Sequence, residues 1–169
     1  MPTITIYWED LVPGSVRQLG SVTPTAQEIA DFARQFDPQP FHLDEAAGAS
    51  SVFGKLCASG WHTCAMAMRL TVDNFLSHSA SMGSPGLENL RWLKPVFPGD
   101  TLRLQHTILE SRPLSSRPDT GLVRSMWEMF NQDDDKVLQM EGYGMFRRRH
   151  PASGIPAAPT QDGGGGRPG

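Results

Sequence analysis

The chain has 169 residues, of which 38% are hydrophobic and 20% are charged, and its formal net charge is −3. A chain of this length can bury about 70% of its unfolded surface in one core, so we expect a single globular domain. The slightly acidic charge balance argues against a basic surface for nucleic acid or an anionic membrane, and neither is expected as a partner.

The N-terminus and the cysteine content indicate a cytoplasmic protein. The first residues, MPTITIYWEDLVPG, contain neither the basic nor the long apolar segment of a secretory signal. The most apolar run, residues 56–68, is too short to cross a membrane. Cys57 and Cys64 form neither a CxxC motif nor a disulfide framework, so they are predicted to be small buried side chains without a metal.

The N-terminal part predicts an extended segment followed by a helix. Weak alternation in GSVRQLGSVT, residues 14–23, is compatible with a strand. In TAQEIADFARQF, residues 25–36, Thr25 and Glu28 have capping-box spacing and precede apolar residues at helical intervals. This segment is therefore predicted to be an amphipathic helix of about three turns.

Two prolines end that helix. Pro38 disfavours helical backbone angles at the residue before it, and Pro40 lacks an N–H, so the helix should stop at Phe36 or one residue later. Asp44 can then cap a short helix in EAAGAS, residues 45–50.

The remainder of the chain predicts one long helix and four strands. Residues 60–78 are apolar nearly all round, which is typical of a helix surrounded by other structure. After SMGSPG, period-two alternation predicts strands at residues 87–97, 100–111, 121–132 and 136–148. We expect an α+β domain of residues 1–149, with an antiparallel sheet wrapped around the long helix, and a disordered tail of residues 150–169.

Asp37 and His42 are the first candidate site residues, five positions apart around the two prolines. A five-residue step would place them about 140° apart on a helix, so the bend is what brings them together. A carboxylate and an imidazole at one point suit the addition or removal of water. An ordinary Asp-Pro turn with a capping or surface histidine remains an alternative at this point.

The segment ASGWHTC, eighteen residues after His42, contains the second candidate feature. Ser59 and Gly60 open the long helix, where backbone N–H groups are unpaired and carry positive potential. Such groups bind a developing oxyanion, and Gly60 permits a close approach of a ligand carbonyl. Ser59 can serve as the helix N-cap at the same time.

The chain resembles the MaoC-like dehydratase family, which includes (R)-specific enoyl-CoA hydratases of hotdog fold. The resemblance is seen in FDPQPFHLDEAA, which contains Asp37 and His42, in ASGWHTC, and in LRWLKPVFPGDTL. The resemblance covers about residues 11–149. Asp37, Pro40 and His42 match the family motif Asp-x-Asn-Pro-x-His in register, and Gly60 matches the glycine whose amide serves the oxyanion hole. The resemblance implies a hotdog fold and places Asp37, His42 and Gly60 as catalytic residues.

The sequence departs from the family at two positions. Gln39 replaces the motif's Asn, and Ser59 replaces a frequent His. Both are predicted to lie beside the substrate. The implied reaction has Asp37 and His42 activate a water that attacks a trans-2-enoyl thioester, while the Gly60 N–H stabilises the thioester oxygen.

The resemblance thus implies an (R)-specific enoyl-CoA hydratase, or 3-hydroxyacyl-CoA dehydratase, of fatty acid metabolism. No cofactor is expected besides the coenzyme A or carrier thioester of the substrate, and exposed sheet edges favour a homodimer or higher oligomer. A hotdog thioesterase and a non-catalytic acyl-thioester-binding subunit are the alternatives. His62 and His106 are predicted to be core residues.

Overall fold

The computed structural model describes residues 2–151, which contain one five-stranded antiparallel sheet. The strand order is β1-β3-β4-β5-β2, so β3, β4 and β5 form a central meander and β1 and β2 are the edges. The strands are β1 (Val16–Val22), β2 (Ser81–Trp92), β3 (Leu102–Leu114), β4 (Arg117–Phe130) and β5 (Lys136–Arg147). The predicted α+β architecture is confirmed.

Within the described residues, four α-helices accompany the sheet: α1 (Ala26–Phe36), α2 (Pro40–Leu43), α3 (Glu45–Ala49) and α4 (Gly60–Asn74). The capping box of α1 forms as predicted, because the Thr25 hydroxyl accepts from the Glu28 N–H and the Glu28 carboxylate accepts from the Thr25 N–H. The sequence did not predict α2. Its first position is Pro40, whose missing N–H costs nothing at the start of a helix.

Helix α4 packs one side onto the sheet. Its residues Ala67 and Leu70 join Leu102, Leu104 and Ile108 in the hydrophobic core. The opposite side carries three exposed apolar residues, Trp61, Met68 and Val72. The described part of this chain therefore covers one side of this apolar helix and leaves the other side exposed. The helix also ends earlier than predicted, at Asn74.

Strand β2 begins six residues before the predicted strand, within SMGSPG. Gly83, Gly86 and Asn89 have positive φ, and the pairing of β2 with β5 shifts register between residues 81 and 91. Such bulges interrupt the alternation of inward and outward side chains, which explains why period two does not identify this part of the strand.

Two further sequence predictions concern the ends of the chain and the membrane. The predicted disorder of residues 150–169 lies, apart from the first two residues, outside the described residues. Within the described range, no helix has the length and apolarity required for a membrane crossing.

His106 lies in the core, as predicted, but without the polar partners that a buried imidazole normally has. It is fully buried in β3 between the rings of Phe75 and Trp127, whose centroids lie 5.0 and 5.1 Å away. Neither ring nitrogen has a hydrogen-bond partner among the described residues. Burial, assisted by the positive charge of Arg17, lowers the pKa of His106 to about 4.

Candidate active site

The structure brings all five predicted site residues to one cavity of about 560 Å³. Residues from the α1–α2 junction, from the segment before α4 and from the β2–β3 connection line it. The five residues are Asp37, Gln39, His42, Ser59 and Gly60.

Asp37 and His42 meet at the base of this cavity. Asp37 ends α1 through an N–H bond to the Ala33 carbonyl, and Pro40 then starts α2, which carries His42. His42 Nε2 lies 3.4 Å from Asp37 Oδ2, and the two side chains are 7% and 20% exposed. The Pro-Gln-Pro bend therefore brings the two groups together, as the sequence predicts.

The Cys57 backbone fixes the orientation of the His42 ring. His42 Nδ1 lies 2.7 Å from the Cys57 carbonyl oxygen, which can only accept a hydrogen bond. Nδ1 therefore carries a proton, and in the neutral tautomer that this bond favours Nε2 faces Asp37 as an acceptor. The ring of Phe41 packs edge-on against the imidazole, with centroids 4.5 Å apart.

Both oxygens of Asp37 accept hydrogen bonds from neighbouring side chains. The Gln39 amide donates to Oδ1 at 2.7 Å, and the Ser59 hydroxyl donates to Oδ2 at 2.7 Å. Burial by itself raises the pKa of Asp37. The bonds from Ser59 and Gln39, with the positive charge that His42 has when it is protonated, outweigh burial and hold the pKa of Asp37 below its usual value. Asp37 is therefore a carboxylate at neutral pH.

Ser59 and Gly60 form the start of α4 beside this pair. Ser59 is fully buried, and its hydroxyl oxygen accepts from the Trp61 N–H at 3.2 Å, as an N-cap does. The Gly60 N–H occupies the first position of the helix and donates to no acceptor in the described part of the chain. It is thus a free donor at the positive end of a helix.

The space beside the Gly60 α-carbon is filled by an aromatic ring. A Cβ atom at position 60 would lie 2.5 Å from Cε2 of Trp92. The sequence analysis explains Gly60 by the close approach of a ligand carbonyl, and the structure adds a second reason, because the indole of Trp92 fills the space where a Cβ atom would lie. Glycine is therefore needed here for the close packing of Trp92 on the start of α4.

Comparison with known proteins shows the family of this chain. Residues 11–123 match the family described as MaoC like domain. The chain belongs to this family. A crystal structure of the MaoC-like dehydratase from Rhodospirillum rubrum is 39% identical, with a TM-score of 0.81 over 86% of this chain and 99% of that one.

Two further similar proteins extend the comparison. The uncharacterized protein YdeM of Bacillus subtilis (strain 168) is 26% identical over 140 residues, which is 83% of this chain and 98% of YdeM. The unliganded R-hydratase PhaJ1 from Pseudomonas aeruginosa shares the fold, with 23% identity and a TM-score of 0.71 over 93% of this chain and 97% of that one. Structural neighbours include a double hotdog fold, so the predicted hotdog fold is confirmed.

Sequence reasoning missed several residues of this MaoC-like site. The amino-acid sequence gives no sign of the Cys57 carbonyl that orients His42, because every residue type has a backbone carbonyl. The Cys57 thiol is also close, with Sγ 3.6 Å from His42 Nδ1. Burial, together with the negative charge of Asp37, raises the pKa of this thiol to about 11, so it is protonated at neutral pH. The aromatic lining was missed as well, and consists of Phe41, Phe53, Trp61 and Trp92.

His62 does not line the MaoC-like cavity. It is buried in α4 and stacks on Phe32 of α1, with ring centroids 4.7 Å apart. Burial lowers its pKa, although Glu28 opposes this shift. The prediction of a core histidine is confirmed, and its role is to hold α1 against α4.

Gly48 packs against the backbone of Leu56, the residue before Cys57. It is buried in α3, where a Cβ atom would lie 2.6 Å from the Leu56 α-carbon. We expect Gly48→Ala to push this backbone away and to destabilise the protein by about 1–3 kcal/mol, as overpacking does. The displaced carbonyl would loosen His42, so kcat should fall together with Tm. Thermal unfolding and steady-state rates measure the two effects.

Ala46→Ser is the matched control for Gly48→Ala. It also adds one heavy atom to α3, but at an exposed position. Its Tm and kcat should stay at the wild-type values. Equal losses in both variants would show that α3 tolerates no added atom anywhere, and would contradict a specific role for the contact between Gly48 and residue 56.

Proposed function

We propose that this protein is an enoyl-thioester hydratase that adds water reversibly to a trans-2-enoyl-CoA and forms the (R)-3-hydroxyacyl product. One observation carries the proposal. Asp37 Oδ2 lies 3.4 Å from His42 Nε2, and with the imidazole in its neutral form both atoms are hydrogen-bond acceptors that cannot satisfy each other. A single water can donate one proton to each of them, which places its oxygen for attack.

The two acceptors have different tasks in the proposed reaction. Asp37 has a lowered pKa and stays ionised, so it orients the water and stabilises a positive imidazolium. His42 Nε2 takes a proton as the water oxygen bonds to the β-carbon. His42 then gives a proton to the α-carbon, so that one water is added and the enzyme returns to its starting state.

The Gly60 N–H provides the third element of the mechanism. Attack at the β-carbon moves electrons onto the thioester oxygen, which becomes enolate-like. A free N–H at the first position of α4 donates to this oxygen, and the helix dipole favours the developing charge.

Gln39 retains a bond to the catalytic carboxylate despite the departure from the family motif. Its side chain is one methylene longer than Asn, and its amide donates to Asp37 Oδ1 at 2.7 Å. This contact supports an active site over a non-catalytic one. The fold shared with an R-hydratase and the close likeness to a MaoC-like dehydratase give further support.

The test is hydration of crotonyl-CoA by the purified chain. Loss of the enoyl absorbance without release of free thiol, and an (R)-3-hydroxybutyryl product, are the expected results. Thiol release would instead indicate a thioesterase. Binding of enoyl-CoA without turnover at any chain length would indicate a non-catalytic subunit, and either outcome overturns the proposal.

We propose further that the protein acts as a homodimer through α4 and β2. Trp61, Met68 and Val72 expose apolar surface on α4, and Leu87 does so on the edge strand β2. An antiparallel edge strand can pair with its own copy about a twofold axis, and that pairing would cover both surfaces. Sedimentation equilibrium should give twice the mass of the chain, and a monomer at micromolar concentration would contradict the assembly.

A further inference from the structure

The indole of Trp92 forms the cavity wall nearest to Gly60. Trp92 is the last residue of β2 and lines the same cavity as Asp37 and His42. Its ring atoms Cε2, Cδ2 and Nε1 would lie 2.5 to 2.8 Å from a Cβ atom at position 60. The ring therefore covers the α-carbon of the residue whose N–H is proposed to bind the thioester oxygen.

Three contacts hold this indole in place. It meets Trp61 edge to face, with centroids 5.2 Å apart and an interplanar angle of 80°. Its side chain also neighbours the thiol of Cys64 one turn along α4, where it offsets part of the rise in the pKa of that thiol that burial causes. The Trp92 backbone pairs with Leu138 of β5. The indole, which is 47% exposed, is thus positioned at the cavity wall by contacts with α4 and by the pairing of its own strand.

We propose that Trp92 determines branching specificity: the indole accepts acyl groups that are unbranched at the α-carbon and rejects those with an α-methyl group. The inference rests on the proposed function, because the Gly60 N–H must bind the thioester oxygen. With that oxygen about 2.9 Å from the Gly60 nitrogen, the acyl α-carbon is only two bonds further on. An α-substituent then meets the ring that covers Gly60.

Two further aromatic rings line the cavity on the side of His42. Phe41 packs on the ring of His42, and Phe53 packs on Phe41 with centroids 5.3 Å apart. In the proposed reaction His42 takes a proton from the attacking water and gives one to the α-carbon, so these rings lie beside the imidazole, whereas Trp92 lies beside the Gly60 N–H.

The experiment compares kcat/KM for crotonyl-CoA and for 2-methylcrotonyl-CoA in the wild type and in Trp92→Leu. A pocket wall discriminates one methyl group by about 10- to 100-fold, so the wild type should prefer crotonyl-CoA by that factor and Trp92→Leu should lose most of the preference. Trp92→Phe keeps a flat ring and should lose less. Leu93→Ala changes another cavity residue and should keep the wild-type ratio.

A binding measurement separates this inference from the proposed function. Butyryl-CoA and 2-methylbutyryl-CoA do not react, and calorimetry gives their Kd ratio in each variant whose Tm shows that it is folded. Failure of the wild type to hydrate crotonyl-CoA overturns the function alone, while a Kd ratio that changes in Trp92→Leu still supports the wall. The inference is overturned if the kcat/KM ratio and the Kd ratio are the same in the wild type and in Trp92→Leu. It is also overturned if Leu93→Ala changes these ratios as much as Trp92→Leu does.

Discussion

Asp37→Asn and His42→Ala should each lower kcat for crotonyl-CoA hydration by about 10²- to 10⁴-fold, which is the range for loss of a general acid–base group. Asparagine keeps the bond from Ser59 or Gln39 but cannot carry the negative charge that balances an imidazolium. Alanine at position 42 removes the imidazole that takes a proton from the water and returns one to the α-carbon in the proposed reaction. Steady-state rates measure both losses.

Matched controls distinguish catalysis from folding. Asp31→Asn and His78→Ala make the same chemical changes at exposed positions, and both should retain wild-type kcat. Tm of all four variants should lie within a few degrees of the wild type. Asp37→Asn and His42→Ala enzymes that retain most of the activity would falsify the assignment of the pair.

His106 should make the protein unstable in weak acid. Its pKa is about 4 in the folded state and about 6.5 when unfolded, so the unfolded chain binds the proton more tightly. His106 therefore leaves the free energy of unfolding unchanged above about pH 6.5 and lowers it as the pH falls from about 6.5 towards 4. The whole loss is about 3 kcal/mol, and about 2 kcal/mol of it falls between pH 7 and pH 5.

His106→Phe isolates this effect from other titrating groups. Phenylalanine keeps an aromatic ring between Phe75 and Trp127 and cannot be protonated. Urea unfolding gives the free energy of unfolding at pH 7 and at pH 5. The decrease between these two pH values should be about 2 kcal/mol smaller in the variant than in the wild type. Identical pH dependence in the two proteins would mean that His106 is already protonated, or has a normal pKa, in the folded state.

Local patterns predicted most of the secondary structure. The capping box located α1, Asp44 located α3, and alternation located β3, β4 and β5, because each of these signals depends on neighbouring residues. The first half of β2 was not predicted, since bulges and glycines there remove the alternation. Helix α2 was missed because its four residues are too few to show a period.

The site was predictable only in part. Asp37, His42 and Gly60 follow from motif spacing and from the general properties of helix ends. The Cys57 carbonyl and the Trp92 indole reach the cavity through contacts between distant segments, which leave no local pattern. The packing of residue 48 on residue 56, which aligns that carbonyl, also depends on tertiary structure.

The strand order also has a consequence for how the molecule folds. Strands β3, β4 and β5 are joined by short connections, whereas the site requires residues 37–60 to meet the loop after β2. Contacts near in sequence lose less chain entropy on forming, so we expect the meander to form in the folding transition state and the site to assemble afterwards.

Val123→Ala in β4 should then slow folding, and Ala58→Gly beside the site should mainly speed unfolding in stopped-flow experiments. The reverse pattern would contradict this order. Substitutions around the cavity would thus shorten the lifetime of the active state while leaving the rate of folding almost unchanged.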